Sequence, residues 1–219
     1  MKKLIVIIII VVLGIVVVRN YSQDNTTVPM ETSSVDEMVD VATNESMLEE
    51  TDVTIDSGVY NVVTSDSIIN WTGSMGDVKS YDGTFTIASG GIIVSDTDAS
   101  GEIVIDMTTL QTNSSAVVNH LKTPDFFDVE TYPTGILAVT GFDNTTMSGN
   151  LTVKDQTNPV TIPISLNETE GMYIVKGTYD FDRSLWDVRY GSPSFFNDLG
   201  DRAINDIVPL AFTLALAKN

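Results

Sequence analysis
From residue 58 onward, apolar and polar positions tend to alternate with a period of two. Ile103, Ile105 and Met107 share one face of such a run, with Glu102, Val104 and Asp106 on the other. Tyr173, Val175, Tyr179 and Phe181 alternate with Thr178 and Asp180, and Val208, Leu210, Phe212, Leu214 and Leu216 alternate with Ala211, Thr213 and Ala215. Period two sends successive side chains to opposite faces, so these runs predict half-buried strands of antiparallel sheet. Turn-forming clusters separate them at Ser89-Gly90-Gly91, Asp96-Thr97-Asp98, Asp143-Asn144, Asp155 to Asn158 and Asn167 to Gly171. About eight to nine short strands at regular spacing predict one all-β domain over residues 58–219, a barrel or a sandwich. Two stretches break the pattern. Residues 114–122 carry helix formers behind a Ser cap, with Pro124 close after them, and residues 194–203 predict a second turn of helix. Neither is long enough to cross a sheet, so both are expected to cover a barrel end.

The N-terminus reads differently. Residues 4–18 are all Ile, Val or Leu except Gly14, preceded by Lys2 and Lys3 and closed by Arg19. A basic segment before an apolar run predicts an export signal over residues 1–19. No Ala-x-Ala-like site follows Val18 and no Cys is available for a lipid anchor, so an uncleaved signal-anchor is expected. Cleavage would instead release a secreted domain. Fifteen helical residues span roughly 22 Å against a hydrocarbon core of ~30 Å, a mismatch that thinning and snorkelling of Lys3 and Arg19 accommodate. The positive-inside rule leaves Lys2 and Lys3 in the cytoplasm and the remainder outside, periplasmic or extracellular. Residues 20–57 hold ten acidic residues and no basic one. Such a segment cannot bury enough apolar surface to offset chain entropy, and it is expected to be a disordered tether.

Composition then removes whole classes of function. The 219 residues contain no Cys and one His, His120, which excludes disulfides, thiolate metal sites and multi-histidine centres. Eleven basic residues against thirty acidic ones, a net charge of −19, argue against a nucleic-acid surface. No nucleophile elbow, phosphate-cradling loop or dinucleotide fingerprint is present, so no catalytic residue, metal or cofactor is assigned and the chain is not expected to be an enzyme. His120, beside Lys122 and Asp125, reads as a capping or surface histidine. The carboxylates at Asp96/Asp98, Asp180/Asp182/Asp187 and Asp198/Asp201/Asp206 match no calcium-loop spacing and read as solvated surface.

One string is more specific. Leu121-Lys122-Thr123-Pro124-Asp125-Phe126-Phe127-Asp128-Val129-Glu130-Thr131-Tyr132-Pro133 closely resembles the central signature of the YceI-like family of exported, lipocalin-like isoprenoid-binding proteins. Other stretches resemble the family in its order: Tyr60, Asn70-Trp71, Asp82-Gly83-Thr84-Phe85, the run from Gly101 to Leu110, Gly149 to Val153 with Pro159-Val160, and the run from Asp182 to Ser192. Two residues before the glycine of the Gly-x-Phe strand, where the family often has His, this chain has Tyr81. The resemblance implies an extended eight-stranded antiparallel barrel around a long apolar cavity. It implies binding, and carriage or storage, of an isoprenoid lipid such as a quinone or polyprenyl species outside the cytoplasm. A barrel serving only as scaffold for a stress-protective or protein-interaction module is the alternative. Oligomeric state leaves no mark in the sequence.

Inward strand faces supply the expected lining: Phe85, Ile87, Ile103, Ile105, Met107, Tyr173, Val175, Tyr179, Phe181, Leu210, Phe212 and Leu214, joined from the resembling segments by Phe126, Phe127 and Trp186. Polar residues expected at a mouth are Tyr81, Arg183, Arg189 and Tyr190, because a quinone carbonyl or a diphosphate needs donors.

Overall fold
The computed structural model describes residues 53–219. The expected signal-anchor and most of the expected tether lie outside the described residues. Nine strands form one antiparallel sheet: β1 Gly58–Val62, β2 Ile68–Met75, β3 Lys79–Val94, β4 Ala99–Thr112, β5 Thr134–Phe142, β6 Thr146–Val153, β7 Gln156–Thr169, β8 Met172–Asp182 and β9 Ile207–Lys218. Each strand from β2 to β9 pairs with the next, and β9 pairs back onto β2, so eight staves close into a barrel. Strand β1 is the other half of the first stave. It pairs with β3 and β9 beyond the reach of β2, from Gly58 opposite Val94 and Tyr60 opposite Lys218. Ser67, 5% exposed, bridges the break: its hydroxyl donates to the Val63 carbonyl at 2.8 Å and accepts from the Ala215 amide at 3.0 Å.

The two ends differ. At one end lie the short turns β3–β4, β5–β6 and β7–β8, and here Val53 and Ile55, from the stretch expected as tether, pack against the core. The Ile55 amide donates to Asn144 Oδ1 at 3.3 Å. At the other end lie the β2–β3 turn, helix α1 (Ser115–Leu121) and the long excursion between β8 and β9. Ser114 stands at the N-cap of α1 as expected, though without a side-chain cap bond. The second expected helical turn reduces to a 3-10 turn at Gly200–Arg202.

Ser89-Gly90-Gly91 is not a turn but the middle of β3. The glycines serve close approach instead. A Cβ on Gly90 would meet the Glu102 carbonyl at 3.0 Å, and one on the facing Gly101 would meet the Gly91 carbonyl at 2.1 Å. Strand β3 also pairs with β4 irregularly, with three extra β4 residues between the pairs Thr84–Gln111 and Thr86–Asp106. The Thr109 hydroxyl fills this bulge, accepting from the Thr86 amide and donating to the Asp106 carbonyl.

The β7–β8 ladder runs from Thr169–Met172 to Ile164–Gly177 and ends there. Beyond it the strands separate, and the 3-10 turn Arg183–Trp186 closes the wedge. Trp186 is fully buried, stacks on Phe181 at 4.6 Å between ring centres and donates its indole N–H to the Leu151 carbonyl at 3.0 Å. Asn158 Nδ2 donates to the Leu185 carbonyl at 2.9 Å. The barrel interior toward the short-turn end is solid core, where Tyr60, Ile92, Met147, Val175 and Leu216 are all 1% exposed or less.

Candidate functional site: an apolar cavity and its mouth
The half of the barrel near α1 is not filled. A cavity of about 120 Å³ remains, walled by Ile69, Trp71 and Gly73 of β2, Phe85 of β3, Ile105, Met107 and Leu110 of β4, Leu151 and Val153 of β6, Phe181 of β8, and Val208 and Leu210 of β9. Leu121, Phe126, Phe127 and Ile204 roof it. Apart from Arg183, every lining side chain is apolar or aromatic, or absent at Gly73. Such a space stays dry and admits apolar guests; an engineered cavity of about 150 Å³ takes up benzene.

A second hollow of about 340 Å³ continues outward from the first and shares Trp71, Gly73, Leu121, Phe126 and Ile204 with it. Ser74, Met75, Tyr81, Ala116, Val117, His120 and Tyr190 complete its wall. This is the mouth. Three rings stand on its α1 side: His120 lies edge-on to Phe126 at 5.1 Å and to Tyr190 at 4.6 Å, and Phe126 and Tyr190 are 5.1 Å apart. His120 Nε2 pairs with Asp125 Oδ2 at 3.0 Å, which fixes the imidazole. The backbone after α1 turns back tightly on itself: the Phe127 amide donates to the Leu121 carbonyl, and the Asp128 amide to that of Thr123. That turn puts Phe126 and Phe127 under the roof.

Trp71 forms part of the wall common to both spaces. Its indole lies over Gly83, the residue opposite it on β3, where a Cβ would sit 2.3 Å from Cζ2. Its Nε1 is buried and has no acceptor among the described residues.

The YceI-like domain model matches residues 60–216, nearly the whole described barrel. The chain belongs to the YceI-like family. Among solved structures, this YceI-like domain is similar to BcnA of Burkholderia cenocepacia, with a TM-score of 0.59, 19% identity and coverage of 70% of this chain and 98% of that one. It is also similar to a polyisoprenoid-binding domain from Saccharophagus degradans implicated in plant cell wall breakdown, with a TM-score of 0.56, 14% identity and coverage of 73% and 98%. At those identities the likeness concerns the fold. No curated protein matches the sequence.

The YceI-like barrel distributes the expected lining residues in three groups. Phe85, Ile105, Met107, Phe126, Phe127, Phe181 and Leu210 face the cavity. Ile87, Ile103, Val175 and Leu214 sit in the filled core, with Tyr173 half-buried against it and edge-on to Tyr60 at 5.6 Å. Phe212 lies across Gly177 at the end of the β7–β8 ladder, Tyr179 is half-buried on β8 just beyond it, and Trp186 fills the wedge. The cavity is therefore short, occupying the mouth half of the barrel.

Of the expected mouth residues, Tyr81 and Tyr190 line the mouth, and neither hydroxyl bonds another described residue. Arg183 does not act there as a free donor. It is 2% exposed; its Nε donates to the Asn205 carbonyl, Nη1 to those of Val188 and Tyr190, and Nη2 to that of Ile204. Nη2 also lies 3.3 Å from Asp206 Oδ1. A guanidinium aimed inward with every face bonded is scaffold, and it holds both strands of the mouth loop together. Burial pulls its pKa down from the ordinary value, and Asp206 and Asp182 counter that pull. Arg189 pairs with Asp187 and stacks over Phe195, outside both hollows. Sequence reasoning missed Ile69, Trp71, Leu110, Leu121, Leu151, Val153, Ile204 and Val208, and favoured a capping or surface role for His120, which lines the mouth.

Proposed function
We propose that this protein binds an isoprenoid-type lipid, tail first, in the apolar barrel cavity, and carries or stores it outside the cytoplasm. The observation that carries the reading is the apolar cavity opening through a mouth whose only polar side-chain groups, among the described residues, are three hydroxyls, one imidazole and the buried indole N–H of Trp71. The Saccharophagus degradans domain of the same fold, named for polyisoprenoid binding, supports the ligand class. The basic–apolar N-terminus supports export and tethering to a membrane by residues 1–19, with quinones and polyprenyl species as the candidate cargo.

The energetics are consistent with this order of entry. A buried methylene contributes about 0.8 kcal/mol, so one five-carbon unit contributes up to roughly 4 kcal/mol. Micromolar affinity corresponds to about 8 kcal/mol, reached after an association cost of at least about 4 kcal/mol. One unit in the cavity is insufficient, so two or so further units must occupy the mouth.

Native mass spectrometry of the full chain purified gently from cells, followed by organic extraction, tests the reading. The expected result is a stoichiometric adduct that extracts as a prenyl lipid. A bare mass that stays unchanged after incubation with quinones and polyprenols would overturn it in favour of a scaffold with protein partners. Leu210→Trp, which places an indole in the cavity, is expected to lower prenyl-lipid affinity at least tenfold while the circular dichroism of the barrel is retained.

A further inference from the structure
The mouth carries a second message, about what enters last. If the tail fills the cavity, the head group lies between Tyr81 of β3, His120 of α1 and Tyr190 of the β8–β9 excursion. Those groups are neutral donors and acceptors, or a histidine already paired with a carboxylate. The two tyrosine hydroxyls bond no other described residue, and both belong to the wall of the hollow. Ser74 Oγ, also in that wall, accepts from Asn205 Nδ2 at 2.8 Å.

Four cations at this end of the barrel are bonded elsewhere. Arg183 donates to four backbone carbonyls, and Arg189 pairs with Asp187. Lys122 Nζ donates to the Thr108 carbonyl at 2.6 Å, and Lys154 Nζ to that of Asp187 at 3.3 Å. Lys79 Nζ lies over the Tyr81 ring, 4.9 Å from its centre, and is the one cation in contact with a mouth residue's ring among the described residues. Phosphate sites are built otherwise, from bidentate arginines, clustered cations or converging backbone amides. Here a carboxylate, Asp125, stands 3.0 Å behind the only imidazole, and the chain as a whole is at −19. A diphosphate entering this mouth would surrender its hydration without gaining a matching charge.

We infer that the mouth selects a neutral, oxygen-bearing head group (a quinone carbonyl or a prenyl alcohol) over a phosphorylated one, with the Tyr81 hydroxyl as a specificity-determining donor. The inference rests on the isoprenoid reading above and narrows it.

The test uses three ligands of one tail length, three isoprene units, with the full chain: farnesol, farnesyl diphosphate and the corresponding saturated hydrocarbon. Affinities come from quenching of tryptophan fluorescence or from calorimetry. The expected result is that the alcohol binds at least tenfold more tightly than the diphosphate. Tyr81→Phe is expected to weaken the alcohol about three- to tenfold, the worth of one neutral hydrogen bond, and to leave the hydrocarbon unchanged. Ala116→Lys, which puts a cation in the mouth wall, is expected to raise diphosphate affinity. Equal or tighter binding of the diphosphate, or a diphosphate affinity that falls on Lys79→Ala, would overturn this inference alone. Binding of none of the three would overturn the isoprenoid reading, and this inference with it.

Discussion

Arg183 and Asp206 together decide the shape of the mouth loop. The arginine joins the carbonyls of Val188 and Tyr190 on one side to those of Ile204 and Asn205 on the other. Lysine is no substitute, because three donors on one atom cannot span that fork. Arg183→Lys is expected to lower stability by about 3 kcal/mol, a fall of roughly 6–12 °C in Tm. A fall under about 2 °C by calorimetry would show that the loop stands without the clamp. Burial pushes the Asp206 carboxyl up, but bonds from Ser192 and Ser194 and the Arg183 charge outweigh it and hold its pKa below the usual value. A depressed carboxyl stabilises the fold above its unfolded pKa, near 3.9 for Asp, and that contribution fades as pH falls through the lower folded value. The Tm gap between wild type and Asp206→Asn is therefore expected to be widest at pH 7 and to close below about pH 4. At this scale the sequence was legible for Phe126 and Phe127, which sit inside the family's string, and for Tyr81, which stands where the chain departs from the resemblance. It misled for Arg183, because a sequence cannot show that a cation's hydrogens end on backbone carbonyls twenty residues away.

The strands show why some of the lining was legible and some was not. Alternation along β4 identifies Ile103, Ile105 and Met107 as inward, and all three are. It says nothing of depth, so the core residue Ile103 and the cavity residue Ile105 look alike in sequence. Leu110 reaches the interior because the β4 bulge resets the period, and no two-residue pattern predicts it. Strand β2, Ile-Ile-Asn-Trp-Thr-Gly-Ser-Met, is too polar to signal that Ile69 and Trp71 face inward. Gly177 marks where β7 and β8 part. A Cβ there would lie 2.5 Å from Phe212 Cζ and 2.9 Å from the Pro163 carbonyl, and backbone on the second side cannot yield. Gly177→Val is expected to destabilise the barrel by about 1–3 kcal/mol. Phe212→Leu in the same chain should recover part of that loss. Thermal denaturation of both single variants and the double variant gives the coupling, and purely additive effects would place the strain elsewhere.

The described residues form a barrel filled at one end and hollow at the other, where the family resemblance implied a long cavity. A floored cavity sets a limit on chain length. Affinity for prenyl alcohols is expected to climb steeply over the first roughly three isoprene units and then flatten, because later units remain in solvent. Calorimetry across a homologous series reads this directly, and a constant gain per unit out to eight units would mean that the packed half opens. The closure of the ring has a separate consequence, for company rather than cargo. Over most of their length the eight staves are hydrogen-bonded on both sides; the ladders stop short where β7 and β8 part beyond Ile164 and Gly177, where β2 runs past β9 after Trp71, and where β4 runs past β5 after Asp106. On the β7 side the first of these stretches contains Pro159 and Pro163, which have no amide hydrogen to offer. A partner therefore finds only short unpaired stretches at the mouth end on which to add a strand of its own, the common route of peptide capture and of edge-to-edge aggregation. Whatever meets this barrel meets side chains, and a lipid bound as proposed would be met only at the open end.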